Sequence, residues 1–321
     1  MILKRSEHNP ILTRDDIPDV PPAVVDATSV FNPGAAKIGD TYVLLLRVQT
    51  RGRETVLMLA RSTDGEHFTV EPEIIRIHGL EQIKKRIYHL YDPRITCIDG
   101  EYLIMLAADI DHDCRLATVR TADFQHFELV GFDAAGDTRN GVIFPQRFGG
   151  KYFRLERPNR IAAEGNAVTG SVITLSESAD LQTWRELGPV MSGRYHYWDE
   201  LIGAGPPPIK TREGWLLVHH GVATHFASVN IYQAGVALLD LADPPKVIGR
   251  GRDNILEPRE LYELTGQVPN VVFPSGMIVE DYDDAGFAKP DSPVRLYYGA
   301  ADTCIGLALT TVRELIDCCK N

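Results

Sequence analysis

The chain has 321 residues, 44% of them hydrophobic and 24% charged, the make-up of an ordinary globular protein with enough apolar material for a large core. Its formal net charge of -11 excludes the broad basic surface that nucleic acid or an anionic membrane requires. An anionic ligand would have to be met by a local cluster of arginines.

From the N-terminus, MILKRSEHNPILTRDD lacks the apolar run of a secretory leader, and no later stretch approaches the roughly 18 apolar residues of a membrane-spanning helix, so a cytoplasmic protein is expected. VFNPGAAKIGDTYVLLLRV then reads as a β-hairpin, and VLMLARSTDGEHFTV adds two strands around a Ser/Thr-Asp turn. YDPRITCIDGEYLIMLAA with CRLATVRTADFQHFELV repeats the arrangement, as do RNGVIFPQRFGGKYFRLERP with VITLSESADLQTWRELG and IGAGPPPIKTREGWLLVHHGV with AGVALLDLADPPKVIGR. VPNVVFPSGMIVEDYDDAGFAKPDSPVRLYYGAAD and CIGLALTTVRELIDCC close the series, the latter ending in a short helix.

Five four-stranded units, spaced roughly 50 to 65 residues apart, predict an all-β five-bladed β-propeller, one domain over residues 1–321. A solenoid or sandwich also repeats strands, but solenoid periods are shorter and their turns more regular. Cys97, Cys114, Cys304, Cys318 and Cys319 show neither CxxC nor Cys/His ligand spacing, so buried thiols are expected, with no disulfide framework and no metal site. The DIDHDC run is carboxylate-rich but lacks the glycine and terminal glutamate of a calcium loop, and a turn between strands is expected there.

In a propeller the innermost strand of each blade lines a central channel, so the starts of these strands converge near the axis. Those positions hold Asn32, Asp92, Arg139 with Asn140, Gly203 and Asn270. The ends of the second strands add Arg47, Arg157, His219 with His220, and Asp302, and of the two histidines only one should face the cavity. Apolar strands charged only at their ends point to a shared polar cavity. For Asp92 and Arg94 alone, a turn or a loop-ordering ion pair is an equally good reading.

YDPR, RNGVIFP, LERP, GAGPPPI with REGWLLVHHGV, EPRELYE, VPNVVFP and YYGAAD, in this order, resemble glycoside hydrolase family 130, the β-mannoside phosphorylases and β-mannosidases. The resemblance runs from NPILTRDDIP to the C-terminus and implies a five-bladed propeller with its active site in the central cavity. It implies that Asp92 is the catalytic acid, that Arg139, Arg157, His220 and Tyr232 gather around phosphate, and that Asn32, Arg47, Glu263 and Asp302, with Arg94 and Asn140, contact the sugar. Inorganic phosphate would be a co-substrate and no cofactor would be needed. The substrate would be a β-mannoside oligosaccharide, and a homo-oligomer could complete the site with loops of a neighbouring subunit.

Inverting cleavage needs an acid on the leaving oxygen and a nucleophile on the opposite face of the ring. With phosphate as nucleophile, a basic pocket replaces the second carboxylate, and arginine forks suit a dianion. One position departs from the pattern. Phosphorylases of the family usually carry a lysine directly before IGAG, where this chain has Leu201, preceded by Asp199 and Glu200. A carboxylate there, Glu200 or its neighbour Asp199, would repel phosphate but could activate water. The expectation is therefore an inverting β-mannoside phosphorylase giving α-mannose 1-phosphate. The alternatives are an inverting β-mannosidase with Glu200 as base and a non-catalytic carbohydrate-binding propeller.

Overall fold

The computed structural model describes residues 3–159, 170–225 and 229–320. The first sheet runs outward from Ser29–Ile38 through Thr41–Gln49 and Thr55–Ser62 to Thr69–Ile74. The second comprises Ile87–Ile98, Glu101–Ile110, Asp113–Thr121 and Phe127–Phe132, with Ile77–His78 added in parallel at its outer edge. The third comprises Thr138–Ile143, Tyr152–Pro158, Val172–Ser178 and Arg185–Ser192. In the fourth, Leu201–Ala204 is followed outward by Gly214–Ala223, Ile231–Leu239 and Val247–Arg250, while Ile209–Thr211 pairs lower on the second strand. These are blades of a five-bladed β-propeller.

The fifth blade differs from the sequence expectation. Its inner three strands are Val272–Val279, Pro293–Ala300 and Cys304–Thr311, but its outermost strand is Lys4–Arg5, with Lys4 opposite Leu309 and Arg5 opposite Ala308. The C-terminal stretch forms the expected short helix, Val312–Cys318, whose Thr311 and Glu314 make a capping box, and leaves the fourth strand to the N-terminus. Of the cysteines, Cys114, Cys304 and Cys319 are buried, Cys318 is half-buried, and Cys97 is exposed, against expectation. No helix among the described residues is long and apolar enough to cross a membrane.

The long apolar runs follow from blade stacking. Each sheet is covered on both faces, so successive side chains of one strand enter different cores. Val43 and Leu45 pack with Ile104 and Leu106 between blades one and two, whereas Leu44 and Leu46 pack with Tyr297 and Leu307 between blades one and five. Leu217 and Trp215 likewise face blade three, while Leu216 and Val218 face blade five. Most of the apolar core therefore lies between neighbouring blades, which leaves the axis to polar groups.

The inner strands share a second feature. Their pairing is interrupted between Phe31 and Gly34, between Tyr91 and Arg94, and between Arg139 and Val142. At each interruption one residue takes a left-handed conformation: Asn32 at φ 47°, Asp92 at 52° and Asn140 at 56°. Asn and Asp tolerate this region better than other side chains, and a bulge re-aims the side chain it carries. Proline has no N–H to give to the ladder, so Pro33 and Pro93 fit where the ladder is already broken. The Asp-Pro and Asn-Pro pairs are thus bulges that throw a polar side chain toward the channel.

Candidate active site

Asp92, delivered by the second-blade bulge, is met by two donors from the first blade. Asn32 Nδ2 donates at 2.9 Å and Arg47 Nη1 at 2.8 Å, both to Oδ1. Arg47 is opposite Phe31 in the ladder and lies between the Phe31 and Tyr91 rings, 4.3 and 4.5 Å from their centres. Burial alone would raise the Asp92 pKa, but Arg47 and Arg94, with the hydrogen bonds from Asn32 and Arg47, outweigh it and hold the carboxyl below its ordinary value.

Arg94 crosses the channel floor. It is 1% exposed, its Nε donates to the Gly205 carbonyl of the fourth blade at 2.8 Å, and its guanidinium sits over Phe273 of the fifth. Burial, only partly offset by Asp92, lowers its pKa to about 10. Asp302, in the turn beyond the second strand of the fifth blade, is the second acidic group here. Burial and the Asp92 charge, against Arg47, push its carboxyl up to about 6.

The third blade carries the opposite charge. Arg139 and Arg157 are directly opposed in its ladder, an arrangement of like charges that destabilises a sheet unless an anion joins it. Burial, reinforced by Arg139, lowers the Arg157 pKa to about 10. Burial alone would lower that of Arg139, but Tyr91, Cys114, Asp109 and Asp92 outweigh it and raise it. Neither arginine has an ion-pair partner among the described residues.

His220 of the fourth blade completes this side. It is opposite Gly203, where a Cβ would come within 2.4 Å of its ring and 3.0 Å of Asn140 Oδ1, so Gly203 makes room for both groups. Burial, then the Arg157 and Arg94 charges, keep its pKa well below the ordinary value, and the ring is neutral. Its ring centre lies 4.7 Å from Phe273 and 6.2 Å from Tyr232, whose N–H is held by the Asn270 carbonyl. As strand alternation predicts, His219 turns the other way and stacks on Trp198.

Among the described residues, buried polar atoms without a partner gather at this axis: Asn32 Oδ1, Arg47 Nε, Arg94 Nη2, Arg139 Nε, Asn140 Oδ1, Arg157 Nε and both His220 nitrogens. Such groups are costly unless a ligand satisfies them. An acid with its donors on one side and a cluster of arginines without ion-pair partners among the described residues on the other can bind a neutral polyhydroxylated molecule together with an anion.

Three expected residues do not join them. Glu263, expected at the sugar hydroxyls, is fully buried beneath the fifth blade, where Arg5 Nε and Nη2, the Tyr298 hydroxyl and the Arg259 and Glu260 N–H groups all donate to it. Its carboxylate is saturated by structural partners. Asp199 is buried between Arg194 and Arg250, with oxygen–nitrogen distances of 2.8 and 2.6 Å. Glu200 accepts the Thr224 hydroxyl, and the charges that act on His220 are those of Arg157, Arg94 and His219, not its own. Neither carboxylate is presented to the basic cluster as a base.

Other participants were not legible as such. Tyr91 donates to Asp109 Oδ1 at 2.8 Å, and Asp109 lines a cavity of about 800 Å³ with Arg139 and Arg157. DIDHDC does form the expected turn, between strands ending at Ile110 and starting at Asp113.

The sequence pattern of the family described as beta-1,4-mannooligosaccharide phosphorylase matches residues 2–321. The chain is 31% identical over 329 residues to the beta-1,4-mannooligosaccharide phosphorylase of Ruminococcus albus, covering 100% of this chain and 91% of that protein. It is 33% identical over 263 residues to a beta-1,2-mannobiose phosphorylase of Listeria innocua, covering 81% of this chain and 67% of that one. The solved structure of beta-1,2-mannobiose phosphorylase from Listeria innocua with beta-1,2-mannobiose superposes with a TM-score of 0.83 at 27% identity, covering 100% of this chain and 99% of that one.

Proposed function

The chain belongs to glycoside hydrolase family 130, and from that premise we propose that it cleaves the β-mannosidic bond of a manno-oligosaccharide by inverting phosphorolysis. The observation that carries this reading is the opposed pair Arg139 and Arg157, half-buried without an ion-pair partner among the described residues and joined by a neutral His220. A phosphate nucleophile needs such a cluster to hold it, whereas a water nucleophile does not.

In the reaction, a phosphate oxygen attacks the anomeric carbon, the bond from that carbon to the glycosidic oxygen breaks, and the leaving oxygen takes a proton. The products are α-mannose 1-phosphate and the shortened sugar. Asp92 is the acid, either in direct contact or through a sugar hydroxyl. Arg47 and Arg94 keep it ionised in the free enzyme. Phosphate adds negative charge to the same cavity and offsets the field of Arg139, which raises the Asp92 pKa and loads the proton only when the nucleophile is present.

The hydrolytic reading keeps one observation in its favour: Leu201 is on the same strand face as Gly203, so a leucine stands where a cation would strengthen the anion pocket. The deciding experiment is product analysis of β-1,2- and β-1,4-linked mannobiose with and without inorganic phosphate. Mannose 1-phosphate formed only with phosphate supports the proposal. Free mannose formed equally without phosphate overturns it in favour of hydrolysis.

A further inference from the structure

Arg139 and Arg157 account for binding an anion but not for choosing among anions. Both line a cavity of about 800 Å³ whose wall also carries Asp109, Asp111, Asp113 and Asp137, and of these four Asp109 is the one whose charge acts on Arg139. Asp109 stands on the second strand of the second blade, opposite His89 on one side and Cys114 on the other. It accepts the Tyr91 hydroxyl at 2.8 Å, and its charge acts on Arg139. Tyr91 also carries Arg47 on its ring face, so one side chain ties this carboxylate to the group that holds Asp92.

A carboxylate beside an anion pocket repels every anion that enters. The repulsion is offset only if the anion has a hydrogen to donate, because an ionised carboxylate can only accept. Hydrogen phosphate keeps an O–H at neutral pH, whereas sulfate, of similar size and shape, has none. An O–H donated to a carboxylate is one of the stronger hydrogen bonds available. Tyr91 takes one of the roughly four lone-pair positions of the carboxylate and fixes its plane, leaving acceptor capacity for a ligand.

We propose that Asp109 is the specificity-determining residue of the anion pocket: it accepts the O–H of bound hydrogen phosphate and disfavours tetrahedral anions that carry no hydrogen. This rests on the reading of Arg139 and Arg157 as the phosphate site.

The test is calorimetric titration of phosphate, arsenate and sulfate into the wild-type protein and into Asp109→Asn and Tyr91→Phe. The wild-type protein is expected to bind phosphate and arsenate, which both carry an O–H, at least about 10-fold more tightly than sulfate. Asp109→Asn is expected to keep anion binding but lose the preference, and Tyr91→Phe to keep it. Equal wild-type affinities for phosphate and sulfate overturn the proposal whether or not the variants fold, as does a preference that survives in Asp109→Asn. Phosphate-dependent turnover with selectivity untouched by Asp109→Asn removes the role of Asp109 alone. Absence of binding by all three anions removes the phosphate site as well.

Discussion

Arg47 donates to Asp92 at 2.8 Å from a guanidinium clamped between the rings of Phe31 and Tyr91. A clamped arginine has few alternative rotamers, so the carboxylate is held in one place before a ligand arrives. Asp92→Asn is expected to lower kcat by about 10²- to 10⁴-fold, the usual range for a general acid, while sugar binding measured by calorimetry persists. Unchanged turnover in this variant would remove Asp92 from the mechanism.

Arg139→Gln and Arg157→Gln should each raise the KM for phosphate by roughly 10- to 100-fold, with little change in affinity for the sugar. The fold disfavours the Arg157 charge through burial and the directly opposed Arg139, so unliganded Arg157→Gln should not unfold at a lower temperature than the wild type. Steady-state kinetics and thermal melts without phosphate check the two halves of this expectation.

Leu201 is half-buried on the face of Gly203 and His220. Leu201→Lys should add a third cation to the anion pocket and lower the phosphate KM by up to about 10-fold. A phosphate KM that does not fall would mean that position 201 does not reach the anion.

Asp302, pushed up to about 6, binds its proton more tightly folded than unfolded. Stability therefore falls as pH rises from near 4 toward 6, by about 3 kcal/mol from this group, and stays lower above that range. Asp302→Asn removes the cost, so its melting temperature should exceed that of the wild type at pH 7 to 8, and the difference should vanish near pH 4. A constant difference across that range would assign the effect to something other than the proton.

Arg5 compensates the buried Glu263 carboxylate. Arg5→Met leaves that carboxylate without its cation and should destabilise the fold by about 3 to 5 kcal/mol in urea unfolding. Adding Glu263→Gln should restore part of the loss, and an unstable double variant with no recovery would locate the cost elsewhere.

The channel residues were legible because a polar side chain at the start or end of an otherwise apolar strand is costly to bury unless it faces a polar cavity. Asn32, Asp92, Asn140, Arg139, Arg157 and His220 all follow that pattern, and their unpartnered or ligand-free polar atoms gather at the axis. Partners distant along the chain leave no such mark. Glu263 is expected at the sugar through the family resemblance of EPRELYE, and nothing local in the sequence marks its cation, Arg5, which lies 258 positions away. The outer strand Lys4–Arg5 is two charged residues long and has no periodicity to detect. Asp109 was hidden within an acidic run whose neighbours form a turn, and only the Tyr91 contact and the cavity wall set it apart.

The ladder between Lys4–Arg5 and Cys304–Thr311 also sets the order in which the protein is completed during synthesis. The first of these strands leaves the ribosome long before the second, so the ring stays open while the four intervening blades are made. Until it shuts, Glu263 lacks its arginine and the blade carrying Asp302 is unfinished. The acid with its arginine, and the opposed anion arginines, belong to the first three blades; the fifth, on emerging, adds Phe273 and Asp302 and closes the cavity around them.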